Sequence, residues 1–244
     1  FTDPYMVLMG HHMQAGKMFG DLDKYSDETF FRKNTTGKIY LPDRVLYLET
    51  VESSTLELLK KLQRLPVLEQ TRLVGGTALA LQLGHRKSID LDFFGTVDCE
   101  AEYLRESIAG IASLTILKES PHIHIYIVDG IKVDIVNYKY PWLDDVVLEQ
   151  GLRLASVSDI AAMKITAIIG RGTKKDFIDI AFLLHHFSLE EILHFYAAKY
   201  NDSSVFMAMK SLAYFDDAEA DPMPDMFVNQ SWQQVKAYIL SKIS

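Results

Sequence analysis

Arg72 to Gly95 reads RLVGGTALALQLGHRKSIDLDFFG, and the rest of the chain is organised around it. A short apolar run, Leu73-Val74, stops at Gly75-Gly76. Thr77 follows, a residue type that caps helices by accepting backbone N–H bonds. Ala78 to Leu83 is strong helix-forming material, and Gly84 sits where a helix C-terminus is closed. Beyond the charged link His85-Arg86-Lys87, the stretch Ser88 to Phe94 alternates like a strand. Ile89, Leu91 and Phe93 then share one face, and Asp90 and Asp92 share the other. The spacing predicts a strand, a Gly-Gly-Thr turn, a short helix and a strand carrying two carboxylates.

A glycine turn entering a helix leaves N–H groups and the positive dipole end pointing outward, which suits a phosphate. Two carboxylates on one strand face repel unless a cation lies between them, and Mg²⁺ takes such oxygens together with substrate phosphates. Metal-assisted phosphoryl or nucleotidyl transfer needs both features side by side.

A second signal comes from His122 to Asn137. Two alternating apolar runs flank Asp129-Gly130, a two-residue hairpin signature. With a two-residue loop, Val128 faces Ile131 and Ile125 faces Asp134. Asp134 then shares a face with Ile125, Ile127, Lys132 and Val136, with His122 and His124 on the other side. Asp134 is either an edge acid beside Lys132 or the third carboxylate that an Asp90–Asp92 site would require. The two histidines lack a third ligand nearby and are expected at the surface or core edge.

The pattern Gly75-Gly76-Thr77, twelve residues, then Asp90-Leu91-Asp92 resembles the signature of the nucleotidyltransferase superfamily. The wording around it is similar, more narrowly, to the AbiEii/AbiGii-type nucleotidyltransferase toxins of bacterial toxin–antitoxin and phage-defence systems. The likeness runs from about Tyr40 to the C-terminus. It implies an α/β (α+β) fold, a mixed sheet with flanking helices followed by a helical C-terminal region. It also implies a later-strand acid, which Asp134 matches. A lysine on the first helix of the C-terminal half and a Lys/Arg-Asp-x-x-Asp at the start of the second match Lys164 and Lys175-Asp176-x-x-Asp179. By itself, Lys164 on its apolar helix either snorkels to water or points into a pocket as a counter-ion. The resemblance makes Lys164 and Asp176 site residues, with Asp179 in support.

The expected reaction is transfer of a nucleoside monophosphate from an NTP to an acceptor hydroxyl. Asp90, Asp92 and Asp134 would hold two Mg²⁺, and Asp134 would also help to deprotonate the acceptor. Gly75, Gly76 and Thr77 would seat the phosphates, Lys164 would pair with them, and Asp176 would orient Lys164 or contact the nucleotide. The resemblance points to the 3′ end of tRNA as acceptor and to a separate antitoxin protein. The alternatives are a small-molecule acceptor of aminoglycoside type, a protein acceptor, or an inactive binding protein of the same fold. With an RNA acceptor, the basic turn Arg171 to Lys175 would contact its backbone.

The composition fits this reading. Half the residues are apolar, the net charge is −8 and Cys99 is the only cysteine, in a chain of 244 residues. That excludes a disulfide framework or thiolate metal cage and argues against a general nucleic-acid coat. No apolar run reaches the ~20 residues of a membrane span, and a cytoplasmic setting is expected. Residues 1–37, with His11-His12, read as an expression-derived leader or fused partner segment. Residues 38–140 are the expected nucleotidyltransferase core and 141–244 the helical region that completes the cleft. Trp142 to Gln150 is expected as loop or short helix. The helix of Ile160 to Ile169 should be capped by Ser158 or Asp159, and Trp232 to Ile243 should close the chain as an amphipathic helix.

Overall fold

The computed structural model describes residues 46–243, which belong to one compact unit. The leader proposed at 1–37, its histidine pair and the start of the core at 38 lie outside the described residues. Among the described residues the chain runs from helix α1 (Ser53–Gln63) to strand β1 (Thr71–Val74), α2 (Gly75–Leu83), β2 (Leu91–Gly95) and α3 (Ala101–Ala109). Strands β3 (Leu114–Glu119), β4 (Ile123–Val128), β5 (Ile131–Asn137), β6 (Val147–Glu149) and β7 (Leu152–Leu154) follow. Helices α4 (Val157–Gly170), α5 (Lys174–Leu183), α6 (Leu189–Lys199), α7 (Val205–Leu212) and α8 (Trp232–Ile243) complete it.

The strands form one mixed seven-stranded sheet in the order β3-β4-β5-β2-β1-β7-β6. One face carries Leu73, Phe93, Val133 and Ile135, all fully buried, in a core shared with Leu59 and Leu62 of α1 and Leu104 and Ile108 of α3. The other face carries Asp92, Phe94, Lys132 and Asp134 and opens into a cleft. In the helical half, α4 packs against α5, α6 and α7, and it meets the sheet half through α2.

The Asp-Gly hairpin has the expected register, with Val128 opposite Ile131 and Ile125 opposite Asp134. Asp129 and Gly130 both take positive φ, 48° and 83°, the geometry that twists with the strands. His124 pairs with Glu119 of β3 and is buried away from the acids. Three expectations need correction. Trp142 to Gln150 is neither plain loop nor helix, because β6 and β7 form a hairpin there and β7 joins the sheet beside β1. Its turn, Gln150-Gly151, has the same positive φ pair, 50° and 78°, but glutamine rarely advertises that conformation. The α4 cap is Ser156, whose hydroxyl accepts Asp159 N–H at 3.0 Å. Finally, β2 starts at Leu91, so Asp90 lies ahead of the ladder. There Ser88 N–H bonds Thr50 O and Lys87 N–H bonds Asp225 O instead of a strand neighbour.

Candidate active site

The site starts where β1 delivers the chain into α2. The cap residue is Val74, extended, with no side-chain cap bond, so the first-turn N–H groups have no intrahelical partner. Thr77 is therefore not the cap: its buried hydroxyl donates to the Asp90 carbonyl and lies 2.9 Å from Ser88 Oγ. It ties the Asp90 segment to the helix, while Gly75 and Gly76 line the cleft. Both glycines leave room for a side chain that closes on the turn, and Gly75 is favoured by its backbone as well. Gly75 has φ +69°, and a Cβ there would stand 2.2 Å from Asp92 Oδ2. A Cβ on Gly76 would stand 2.3 Å from Arg86 Nη2. The glycine pair thus lets an acid and a guanidinium close on a helix N-terminus. Gly75→Ala combines left-handed backbone with this clash, and should cost about 1–3 kcal/mol in denaturant unfolding and displace Asp92. Unchanged stability would show that the turn can relax.

Across the sheet, Asp92 of β2 and Asp134 of β5 are direct register partners on the cleft face. Burial raises the Asp92 carboxyl to about 6, and the Asp134 charge adds to that rise. Lys132 Nζ holds both oxygens of Asp134, at 2.7 and 2.6 Å. Asp90 is more open, with Lys175 Nζ 4.0 Å from Oδ2. All three acids line one cleft of about 810 Å³. However, among the described residues no three His, Cys, Asp or Glu side chains are gathered closely enough to hold a metal. Lysine charge, on Asp134 from Lys132, stands where the sequence reading put a shared cation. The donor chemistry still fits a hard divalent ion: the groups offer oxygen only, and burial together with the neighbouring Asp134 makes the Asp92 charge costly until a cation offsets it.

The opposite wall comes from α4 and α5. Lys164 does not snorkel to water. It is 4% exposed, with Nζ 2.9 Å from Asp176 Oδ1 and 2.5 Å from Asp179 Oδ2. Asp176 also accepts from Arg171 Nε at 2.9 Å and Thr173 Oγ1 at 2.6 Å. Asp179 accepts from Arg86 Nε at 2.7 Å, Arg86 Nη2 at 2.9 Å and His85 Nε2 at 2.8 Å. Burial alone would raise both carboxyls. The charge of Lys164 on Asp176, and of Arg86 and Lys164 on Asp179, instead holds each well below the ordinary range. Lys164 reaches the cleft wall, whereas Asp176 is fully buried behind it. The basic turn is divided: Arg171 is bound to Asp176, and Lys174 is buried with Nζ on the carbonyls of Glu219 and Asp221.

Several cleft residues escaped the sequence reading. Arg86 looked like part of a charged link, yet it joins the α2 N-terminus to Asp179, 93 residues away. Lys199 is fully buried, bonding Asp159 Oδ1 at 2.6 Å and Pro141 O at 2.8 Å. Tyr138, Tyr140 and Tyr200 line the far end of the cleft. Only the alternation of aromatics through Tyr138-Lys139-Tyr140 hinted at them.

A glycine turn at a helix N-terminus facing paired strand carboxylates defines the nucleotidyltransferase class, and the comparisons agree. The fold matches JHP933 from Helicobacter pylori with TM-score 0.52 at 19% identity, covering 79% of this chain and 91% of that one. It matches a putative nucleotidyltransferase from H. pylori with TM-score 0.51 at 20% identity, covering 79% and 94%. An uncharacterized protein of Aquifex aeolicus is 33% identical over 193 residues, 77% of this chain and 93% of its own length. Residues 57–242 match the family of the nucleotidyl transferase AbiEii toxin, type IV toxin–antitoxin system. The chain belongs to that family and is a nucleotidyltransferase. Membership implies an NTP substrate, metal use and an antitoxin partner. Among the described residues no helix is long and apolar enough to cross a membrane.

Proposed function

We propose that this toxin transfers a nucleoside monophosphate from an NTP to a hydroxyl on RNA, forming a phosphodiester at the α-phosphorus and releasing pyrophosphate, the 3′ end of tRNA being the expected acceptor, in the cytoplasm. The observation that carries the reading is the direct pairing of Asp92 with Asp134 beside the uncapped α2 N-terminus. The first-turn N–H groups of Gly75 and Gly76 seat phosphate oxygens, with Arg86 alongside. Lys164, positioned by Asp176 and Asp179, adds charge from the opposite wall. Asp90, Asp92 and Asp134 would hold Mg²⁺, two ions in the full reading, which when bound offset the charge of the triphosphate. Asp134, once Lys132 releases it, takes the proton of the attacking hydroxyl. Growth inhibition, restraint by the antitoxin and a part in phage defence follow from the same reading.

One observation favours a second acceptor class. Lys174 is buried on backbone carbonyls and Arg171, though 59% exposed, is bonded to Asp176, which leaves a short cationic rim of Arg171, Lys139 and Lys175 and weakens the case for a long RNA footprint. A small-molecule or protein acceptor would need less. The test is incubation with each labelled NTP, Mg²⁺ and either total cell RNA or cell protein, resolved on a gel. Label in the tRNA band is expected. Label only in protein, or only in a small-molecule fraction, would overturn the RNA acceptor.

A further inference from the structure

Past the acids, the cleft changes character. Phe94 follows Asp92 by two residues on the same strand face, about 7 Å further along. Its ring packs on Tyr138 with centroids 5.2 Å apart, and Tyr138 packs on Tyr140 at 5.3 Å. Tyr140 meets Tyr200 edge-on at 4.8 Å. The hydroxyls of Tyr138 and Tyr200 satisfy each other at 2.9 Å, so this end of the cleft offers apolar ring surface. Nothing in the transfer chemistry above uses it.

The wall is held from behind. Lys199 Nζ lies 5.2 Å from the Tyr138 ring centroid and 4.5 Å from that of Trp142, and its bonds to Asp159 and Pro141 O fix the segment carrying Tyr140. A fully buried ion pair behind a half-exposed tyrosine is a rigid backing for a surface that water solvates poorly. Tyr140 keeps 52% of its surface exposed, so the cluster is not closed core. A flat aromatic ligand would cover it. Phe94 begins this wall about 7 Å past Asp92 along β2, which leaves room for a ribose between phosphate and ring.

We propose that Phe94, Tyr138, Tyr140 and Tyr200 form the subsite that stacks the nucleobase of the NTP. The proposal rests on the reading of this cleft as the NTP site, and it assigns to the aromatic wall the part of NTP affinity that the phosphates do not supply. Stacking of this kind accepts any base, because every base has a π-face.

The test is a comparison by calorimetry of NTP and inorganic triphosphate, each with Mg²⁺, binding to the parent, Tyr140→Ala and Tyr140→Phe. The parent should bind NTP more tightly than triphosphate. Tyr140→Ala should lose about 5–150-fold in NTP affinity, the worth of one stacked base, with triphosphate affinity unchanged. Tyr140→Phe should retain the parent value. A parent that binds NTP no better than triphosphate, or a Tyr140→Ala protein that keeps NTP affinity or loses both ligands equally, overturns the subsite alone. A parent that binds neither ligand overturns the reading of the cleft and the subsite with it.

Discussion

Asp92→Ala is expected to abolish nucleotide transfer and, at pH 7, to make the protein more stable. The activity loss follows from position. Asp92 faces the α2 N-terminus with a would-be Cβ of Gly75 only 2.2 Å from its oxygen, and it is the register partner of Asp134. On the proposed role of Asp92 as a metal-holding carboxylate, its loss removes several kcal/mol of charge stabilisation, about 10³-fold or more in rate. The stability gain follows from its pKa, raised from 3.8 to about 6 by burial and then by Asp134. An acid with a raised folded-state pKa is protonated in the fold while already ionised in the unfolded chain. Between about pH 4 and 6 the unfolded state therefore binds fewer protons, and stability falls as pH rises. Two units correspond to about 3 kcal/mol, reduced to about 1–2 because the half-buried carboxyl lines an open cleft. Urea unfolding of parent and variant at pH 4, 5, 6 and 7 reads this directly. The parent should lose stability across the range while Asp92→Ala stays flatter. A variant that is active, or weaker than the parent at pH 7, would contradict the assignment.

The fold was readable in the sequence wherever one residue type forced one backbone conformation. Gly84 closes α2 at φ +68°, and Asp129-Gly130 set a register that carried Asp134 to Ile125 without further information. The same alternation placed Asp92 and Phe94 on one face, because a strand repeats every two residues. It failed for Asp90, since Thr77 and Ser88 bind that segment through side chains and hold it ahead of the ladder. It failed for the Gln150-Gly151 hairpin for want of Asn or Asp at the first turn position. Ser156, Ser158 and Asp159 were all capping residues by type, and tertiary partners chose among them: Asp144 took Ser158, and Lys199 took Asp159. The site was legible as far as its local motifs and the family likeness extended. Arg86 and Lys199 act through partners 93 and 40 residues distant. No local pattern encodes those pairings, so residues that look like ordinary surface charges became buried supports.

The largest structural effect should come from Asp179, and its size should exceed that of its own partner. Two buried carboxylates, Asp176 and Asp179, face three cations, Lys164, Arg86 and Arg171, with His85 held neutral by burial. Lys164→Ala leaves two anions against two cations, each acid still bonded to an arginine. Asp179→Ala leaves three cations around one acid, with Arg86 and Lys164 both stripped of a partner at 3% and 4% exposure. Breaking a buried pair so that charge is left uncompensated costs about 3–5 kcal/mol. That is a large part of the 5–15 kcal/mol typical of a domain. Asp179→Ala should therefore approach unfolding at 25 °C, while Lys164→Ala stays folded and loses transfer. Acid dependence supplies a second measure. The Asp179 carboxyl is depressed well below 3.8, so its contribution is complete above about pH 4 and is lost as pH falls below that. The parent's stability should drop below pH 4 more steeply than that of Asp179→Asn, which has no such group to protonate. Thermal and urea unfolding of the three variants decide the order. If Lys164→Ala proves the weaker protein, the network is held together by its lysine, and Asp179 is one acceptor among several.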